Sequence, residues 1–547
     1  MKKYVIGVDF GTLSARALLV DAESGEEIGS SVFEYPHGVM DVCLPSGRKL
    51  PALYALQHPG DYVEALQNTI PKLLSCYGVS KSEVKALGID FTACTLMPVD
   101  ENGVPLCLKA EFANEPHAFV KLWKHHSAQK EAERVNEVAK ELGEKWAKRY
   151  SGKVSCEWAA PKILEIVKEA PEIYTATHRF TEAGDWICRV ITGRESHSAA
   201  FAGYKALWSQ SEGYPSREFF KTLHKDLENI VGTKLSCDIS PVSDIAGHID
   251  QNGADITSLE VGTPVALAMI DAHAAMSALG IHQNNVLMMV LGTSTCHIVN
   301  SDTEKEIDGV CGVVKDGVFE GCYTYEAGQA CCGDHFDWFI KNALPAEYLE
   351  DAKSRGVSPH LILREKAQKL RAGESGLLAL DWFNGNRSTL MDADLSGMIL
   401  GMTLATRPEE IYRALIEATA YGTKMIIDAF VEGGICVDRI VAGGGIAKKD
   451  ELLMQIYADV TGREITVGGS SQAGAYGSAL YAIVAAGIAP SINEAAKRFG
   501  KLSDKVYRPI PENVEVYKKL YAEYKTLYNY FGKENGVMKR LMELSKD

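Results

Sequence analysis

The sequence predicts a two-lobed α/β protein in which two duplicated domains flank a cleft. Two observations carry that prediction. A strand–turn–strand unit, YVIGVDFGTLSARALLVD at Tyr4–Asp21, is followed about 280 residues later by a second of the same design, NVLMMVLGTSTCHIVN at Asn285–Asn300. A repeat at that separation marks two similar domains, not a short-period solenoid. Helical and strand patterns then alternate to the end of the chain, which implies a mostly parallel sheet covered by helices. The expected domains are residues 1–281 and 282–547.

The elements follow in order. Val5–Phe10, Ala15–Val20 and Ile28–Phe33 are short apolar runs joined by polar turns, the pattern of an antiparallel meander. Glu83–Asp100 reads as a strand entering a loop with another strand behind it. Residues Pro116 to Tyr150 are charged and helical in pattern, and APKILEIVKEAPEIY is a helix with Pro161 near its start and Pro171 just past its end. In the second half, PEEIYRALIEATAYGTKMIIDAF is a long helix, RIVAGGGIA a strand with a glycine turn, and DELLMQIYADVTG a helix. The aromatics of VYKKLYAEYKTLYNYF recur at helical spacing, as in a helix packed back on the body.

Bulk properties narrow the function classes. A chain of 547 residues with 46% hydrophobic content fills two cores. Its longest apolar run, Ala479–Ala489, falls short of the roughly 20 residues needed to cross a bilayer, so no membrane association is expected. The basic tip at the start meets Asp9 too soon for a signal peptide. Thirteen scattered cysteines, without paired CxxC spacing and with Cys331 adjacent to Cys332, read as reduced thiols in a cytoplasm. A net charge of −15 and the lack of a basic stripe argue against a nucleic-acid partner. The histidines, including His125-His126, lack metal-ligand spacing and read as core or surface residues. The oligomeric state stays open, a homodimer among the alternatives.

Four short segments can carry chemistry. In DFGTLSAR the Gly11-Thr12 turn exposes backbone N–H groups suited to phosphate oxygens, with Ser14 and Arg16 adding a hydroxyl and a cation. Asp9 at the strand end can hold a hydrated Mg²⁺, which prefers oxygen ligands. Any hairpin can read this way alone, but a second turn at Leu291–Thr295, with Gly292 and Thr293, lets two hairpins grip a polyphosphate from both sides. Gly443, Gly444 and Gly445, between a strand and a helix, let a flat ligand lie on the backbone; a plain helix-start turn is the alternative. Neither a Walker motif nor a well-placed G-x-G-x-x-G is present. Asp271 closes an apolar run at the junction of the halves and is expected, with an ordinary carboxyl pKa of about 3.9, to act as an ionised base. The rival role for Asp271 is an N-cap.

In this order the four elements resemble the FGGY family of carbohydrate kinases, over nearly the whole chain. DFGTLSAR and LGTST look like the family's two phosphate loops, AGGG like its adenosine loop, and IDAHAA like the segment bearing its catalytic aspartate. Gly397–Ala418 is similar to the C-terminal signature, with Leu415 where a smaller residue is usual. The resemblance implies two ribonuclease-H-like domains of the actin, hexokinase and heat-shock-70 ATPase fold, with ATP and Mg²⁺ as cofactors. Lys448 would lie beside the nucleotide. GIDFTACTLMPVD, AGYKALW and TYEAGQA are similar to segments of the family branch that phosphorylates ribulose. That implies transfer to the 5-hydroxyl of L-ribulose, with Ala93, Lys205, Asp271 and Glu326 around the sugar. The small Ala93 admits the sugar, Lys205 donates to its oxygens, and Glu326 accepts from its hydroxyls. The alternatives are a family kinase for xylulose, rhamnulose or ribitol, and an actin-like, nucleotide-gated sugar sensor. A heat-shock-70-like chaperone is disfavoured, since no peptide-binding β domain follows.

Overall fold

Alternating apolar residues and tight turns produce the expected meander at the start of the chain. In the computed structural model, which describes residues 2–236 and 238–544, β1 (Tyr4–Phe10), β2 (Ser14–Asp21) and β3 (Glu27–Glu34) run antiparallel, with Asp9 opposite Arg16. Beside β1 lies β4 (Val84–Phe91), parallel and in a register that sets Asp90 level with Asp9. The sheet is completed by β5 (Ile245–His248), β6 (Pro264–Ala266) and β7 (Met269–Ile270); β7 pairs with the end of β4. The strand order is β3-β2-β1-β4-β6-β5.

The second sheet repeats this plan. Its strands are β8 (Val286–Leu291), β9 (Thr295–Ser301), β10 (Gly312–Lys315), β11 (Tyr323–Gln329), β12 (Arg439–Gly443), β13 (Ile465–Gly468) and β14 (Leu502–Tyr507). Their order is β10-β11-β9-β8-β12-β13-β14. With β10 set aside, both sheets have three antiparallel meander strands, two parallel crossovers and an antiparallel edge. Each sheet is therefore mixed, not mostly parallel as the alternation alone suggests.

Packing does not follow the sequence division at 281/282. Helix Ala473–Ala485, which takes in most of the apolar run that starts at Ala479, crosses back and lies on the first sheet. The approach is so close that a Cβ on Gly88 of β4 would fall 2.0 Å from the Ser478 carbonyl oxygen. Helix Ile492–Phe499 joins the same core. Gly88→Ala is expected to destabilise the protein by about 1–3 kcal/mol, the usual penalty of overpacking, read as a lowered Tm. Among the described residues no helix is long and apolar enough to cross a membrane.

A third, smaller core, not foreseen, lies between the strands of the first lobe. It holds a four-stranded sheet of short strands, Leu56–Gln57, Val120–Lys121, Leu96–Val99 and Arg179–Glu182, and buries Trp146, Tyr150, Trp158 and Phe219. The charged stretch from Pro116 to Tyr150 is α-helical only over Gln129–Leu142. Its charges do not all face water: buried Lys121 and His125 turn inward to Glu165 at 2.8 and 3.2 Å, which breaks the surface-helix pattern. The tail behaves as expected. Helix Pro511–Asn529 buries Tyr517, Tyr524 and Tyr528 against the second lobe, and the Tyr524 hydroxyl donates to Asp381 at 2.9 Å.

Candidate active site between the lobes

Three carboxylates converge where β1, β4 and β7 end, at the carboxyl edge of parallel strands where open α/β sheets bind ligands. Asp9 and Asp90 are neighbours across the β1–β4 pair. Burial, followed by the charge of Asp9, pushes the Asp90 carboxyl well above its usual range. Burial also raises Asp9, against the pull of Asp90 and the Arg16 guanidinium. Two such carboxyls side by side each make it harder for the other to ionise. Ser478 donates to Asp90 Oδ2 at 2.6 Å, whereas Asp90 Oδ1 is buried without a hydrogen-bonding partner. A Cβ on Gly474 would lie 3.1 Å from Asp9 Oδ2 and 3.4 Å from Asp90 Oδ1, so the glycine keeps open the space both oxygens border.

Asp271 differs from expectation in two ways. It is not an N-cap: it is the first residue of helix Asp271–Ala278, after Ile270, and its Oδ1 accepts only the adjacent Ala272 N–H, at 2.6 Å. Nor is its carboxyl ordinary. Burial, then the charge of Asp9, then that of Glu326, push it up to about 7, against the Ala272 hydrogen bond. Asp271 thus feels acidic groups of both lobes, which places it at the seam. A base tuned near working pH is more effective than a fully ionised one.

The two hairpin turns are each closed by the N–H of their first glycine, over four residues in the first (Phe10 pairs with Ala15) and three in the second (Leu291 pairs with Thr295). Gly11 N–H donates to the Ser14 carbonyl at 3.0 Å, and Gly292 N–H to the Ser294 carbonyl at 3.0 Å. Each turn is held from behind. Gln57 Nε2 donates to the Thr12 carbonyl at 2.8 Å and Trp123 Nε1 to the Thr12 hydroxyl at 3.2 Å. In the other loop, the Cys332 N–H donates to the Thr293 carbonyl at 2.8 Å and Gly333 N–H to Gly292 at 3.0 Å. Ser14 and Arg16 lie half-buried on β2, and Thr293 is exposed.

Gly443 ends β12 and Gly444 opens helix Gly444–Lys449. Gly444 has φ +92°, and a Cβ there would lie 2.2 Å from the Leu291 carbonyl oxygen, so the third loop rests on the second. Gly445 is exposed with nothing within 4 Å of its Cβ position, an open backbone face. Gly444→Ala is expected to cost about 1–3 kcal/mol of backbone strain and to weaken nucleotide binding, measured by thermal unfolding and calorimetric titration. Lys448 donates to the Gly469 carbonyl at 3.1 Å, which ties the helix to the turn after β13; burial lowers its ammonium pKa.

The remaining candidates meet across the lobes. Lys205, at the end of helix Ala199–Lys205, places Nζ 2.9 Å from Glu326 Oε1 on β11 and 5.4 Å from the centre of the Trp158 ring. His273 Nε2 lies 3.2 Å from the other Glu326 oxygen. Burial acts to raise the Glu326 carboxyl, but Lys205 and His273 outweigh it and hold it below the usual range. Alongside, the Tyr204 hydroxyl donates to the Thr324 carbonyl at 2.8 Å. Across the seam, Ala93 alone of residues 92–95 stays partly exposed, in a loop fixed by Lys162 Nζ on the Cys94 carbonyl (2.6 Å) and by the Thr95 N–H on Glu182 (2.8 Å). Asp90, Lys162, His273 and Gln57 were not singled out from sequence. Asp90 alone had a signal, an acidic residue closing an apolar strand just as Asp9 does.

Comparison with known proteins accords with this architecture. Residues 4–280 match the N-terminal domain of the FGGY family of carbohydrate kinases, and residues 287–486 its C-terminal domain. The chain is 52% identical over 537 residues to a ribulokinase of Bacillus licheniformis, covering 97% of each chain. It is 51% identical to a ribulokinase of Geobacillus thermodenitrificans, over 99% of this chain and 97% of the relative. A xylulose kinase from Lactobacillus acidophilus, solved with bound ligand, superposes with a TM-score of 0.81 at 18% identity, over 98% of this chain and 99% of that one. Its low identity speaks to the fold alone. With both family domains matched around one cleft and relatives this similar along nearly their full length, the chain belongs to the FGGY family of carbohydrate kinases.

Proposed function

We propose that this chain transfers the γ-phosphoryl group of ATP to the 5-hydroxyl of L-ribulose, giving L-ribulose 5-phosphate and ADP in L-arabinose catabolism. The substrate follows from its ribulokinase relatives at about half identity. The observation that carries the chemistry is Asp271, a carboxylate raised to about 7 by burial and the charges of Asp9 and Glu326, which belong to different lobes. As the 5-oxygen attacks phosphorus and the bond to the β-bridging oxygen breaks, Asp271 takes the hydroxyl proton. Phosphoryl transfer asks mainly for positioning and charge neutralisation. The Thr12 and Ser14 hydroxyls face the phosphates from one lobe, with the Arg16 charge behind them, and Thr293 from the other, while the Gly11 and Gly292 N–H groups close the two turns and their missing side chains leave the backbone open.

Gly443, Gly444 and Gly445 bear the nucleoside, and Lys448 braces their helix. Lys205 donates to the sugar, Glu326 accepts from it, and Ala93 leaves room for it. The orphaned Asp90 oxygen beside the Asp9 carboxylate fits a hard cation, so Asp9, flanked by Asp90, would hold Mg²⁺. That ion, when bound, neutralises charge on the β- and γ-phosphates. The free thiols of the described cysteines accord with a cytoplasmic location.

An ADP-release assay across ketopentoses and polyols, with the phosphorylated position read by NMR, tests this reading. L-Ribulose is expected to give the highest kcat/KM with phosphate on C5; a preference for xylulose would overturn the substrate assignment. The profile of kcat/KM against pH reports the free enzyme. Protonation of Asp271 is therefore expected to give an acid limb centred near pH 7, falling about tenfold per unit below it. A flat profile down to pH 5 would contradict the assigned base.

A further inference from the structure

Away from the cleft, the fold assembles one further set of ligating side chains. His37, His58 and Asp61 bring one donor atom each within 4.8 Å of the others. His37 Nδ1 lies 2.6 Å from Asp61 Oδ1, and His58 Nδ1 lies 4.0 Å from the same oxygen. The two imidazole rings stack with centroids 4.3 Å apart. We propose that these three residues bind a divalent transition-metal ion of the zinc class, which staples together the two ends of the 37–58 segment behind the first phosphate loop.

The donor set suits that ion. Two imidazole nitrogens and one carboxylate oxygen, with a fourth position left to water, are a recurrent zinc environment. The Asp61 side chain is 2% exposed, and its second oxygen accepts the His37 backbone N–H at 3.2 Å, the kind of outer support that orients a ligating carboxylate. The His37 and His58 side chains keep 34% and 21% of their exposure, so the outer side of the cluster is open to solvent. Donors around a tetrahedral ion with bonds near 2.0–2.1 Å lie about 3.3 Å apart. The separations of 2.6 and 4.0 Å bracket that value, and ring rotation closes the difference. His58 then gives up a long cap bond, 3.2 Å from the Gly60 N–H.

The location gives the ion a structural consequence. Tyr35 N–H donates to the Leu13 carbonyl at 2.9 Å, and Gln57 Nε2 to the Thr12 carbonyl at 2.8 Å. The two strands of chain that carry His37 and His58 are thus the props of the Gly11–Ser14 turn. Tyr62 fixes the second prop by donating to Gln57 Oε1 at 2.7 Å. The metal site does not rest on the kinase reading; only its bearing on nucleotide binding does. His37 lies 21 positions before His58, and only His58 and Asp61 are close in sequence, which is why sequence spacing gives no metal signature.

The test uses the metal-free full-length protein with Zn²⁺ as probe. Crystals soaked in zinc are expected to show an anomalous peak between His37, His58 and Asp61. Equilibrium dialysis is expected to show one zinc equivalent that His37→Ala and His58→Ala each lose. The affinity should fall by more than the roughly 10–100-fold that losing an outer-shell partner costs. His37 is exposed, so its variant folds, and a native circular dichroism spectrum checks this. Zinc should also slow amide exchange over residues 11–14 and 36–57 in the native protein and not in the variants. Zinc found only at the exposed thiols of Cys43, Cys76 and Cys436 or at the cleft carboxylates, with stoichiometry unchanged in both variants, would overturn the proposal.

Discussion

Asp271→Asn is expected to bind ATP and sugar as the native protein does while losing about 10²–10⁴-fold in turnover, the usual contribution of a positioned general base. The substitution is nearly isosteric, and the amide oxygen can still accept the Ala272 N–H. What it cannot do is take a proton. It also removes one negative charge from a group of three carboxyls, so polyphosphate binding is not weakened electrostatically. Coupled ADP release measures turnover and calorimetric titration measures binding. A stability readout accompanies it, with a definite sign. The folded-state carboxyl is raised from 3.8 to about 7, so the unfolded chain ionises first as pH rises. The native protein is therefore expected to lose stability between about pH 4 and pH 7 relative to the Asn variant. Thermal unfolding across that range should show the two curves diverge, with the variant higher at pH 8.

Glu326→Gln is expected to produce the second large effect. Lys205 is 9% exposed and has Glu326 as its charged partner at 2.9 Å. Removing one member of a buried pair leaves an uncompensated charge, at a cost of about 3–5 kcal/mol. Because the pair joins the lobes, that cost is met where the sugar binds. The kcat/KM for sugar is expected to fall by about 10²-fold or more, with a lowered Tm and an ATP KM close to native. Replacing both charges, as Lys205→Met with Glu326→Leu, should restore much of the stability, since apolar pairs often substitute well for buried ions. Activity should stay lost. Recovery of both would mean that the pair only holds the lobes together.

The turns and the glycine loop were legible because their chemistry is local. A Gly-Thr turn after an apolar strand, or three glycines before a helix, has few conformations open to it, and the glycine loop rests on the second turn through Gly444 and the Leu291 carbonyl. The duplication was legible for the same reason, and the strand orders of the two sheets bear it out. What sequence reading missed depends on distant partners. The Asp271 carboxyl is tuned by burial and by Asp9 and Glu326, which lie far away in sequence. Ala473–Ala485 reads as an ordinary apolar helix, and nothing local says that it returns to the first sheet beneath β1 and β4. Lys121 and Lys162 look like surface charges until the small third core wraps around them. Asp90 closes an apolar strand, a common place for an aspartate, and its significance appears only beside Asp9.

The most direct measurement is a crystal structure of the native protein with L-ribulose and a non-hydrolysable ATP analogue. The expected result is an Asp271 carboxylate oxygen about 2.6–3.2 Å from the sugar 5-oxygen, with the γ-phosphorus in line on that oxygen's far side and both hairpin turns on the phosphates. A closed complex in which Asp271 turns away from the 5-oxygen, or in which another hydroxyl faces the γ-phosphate, would contradict it.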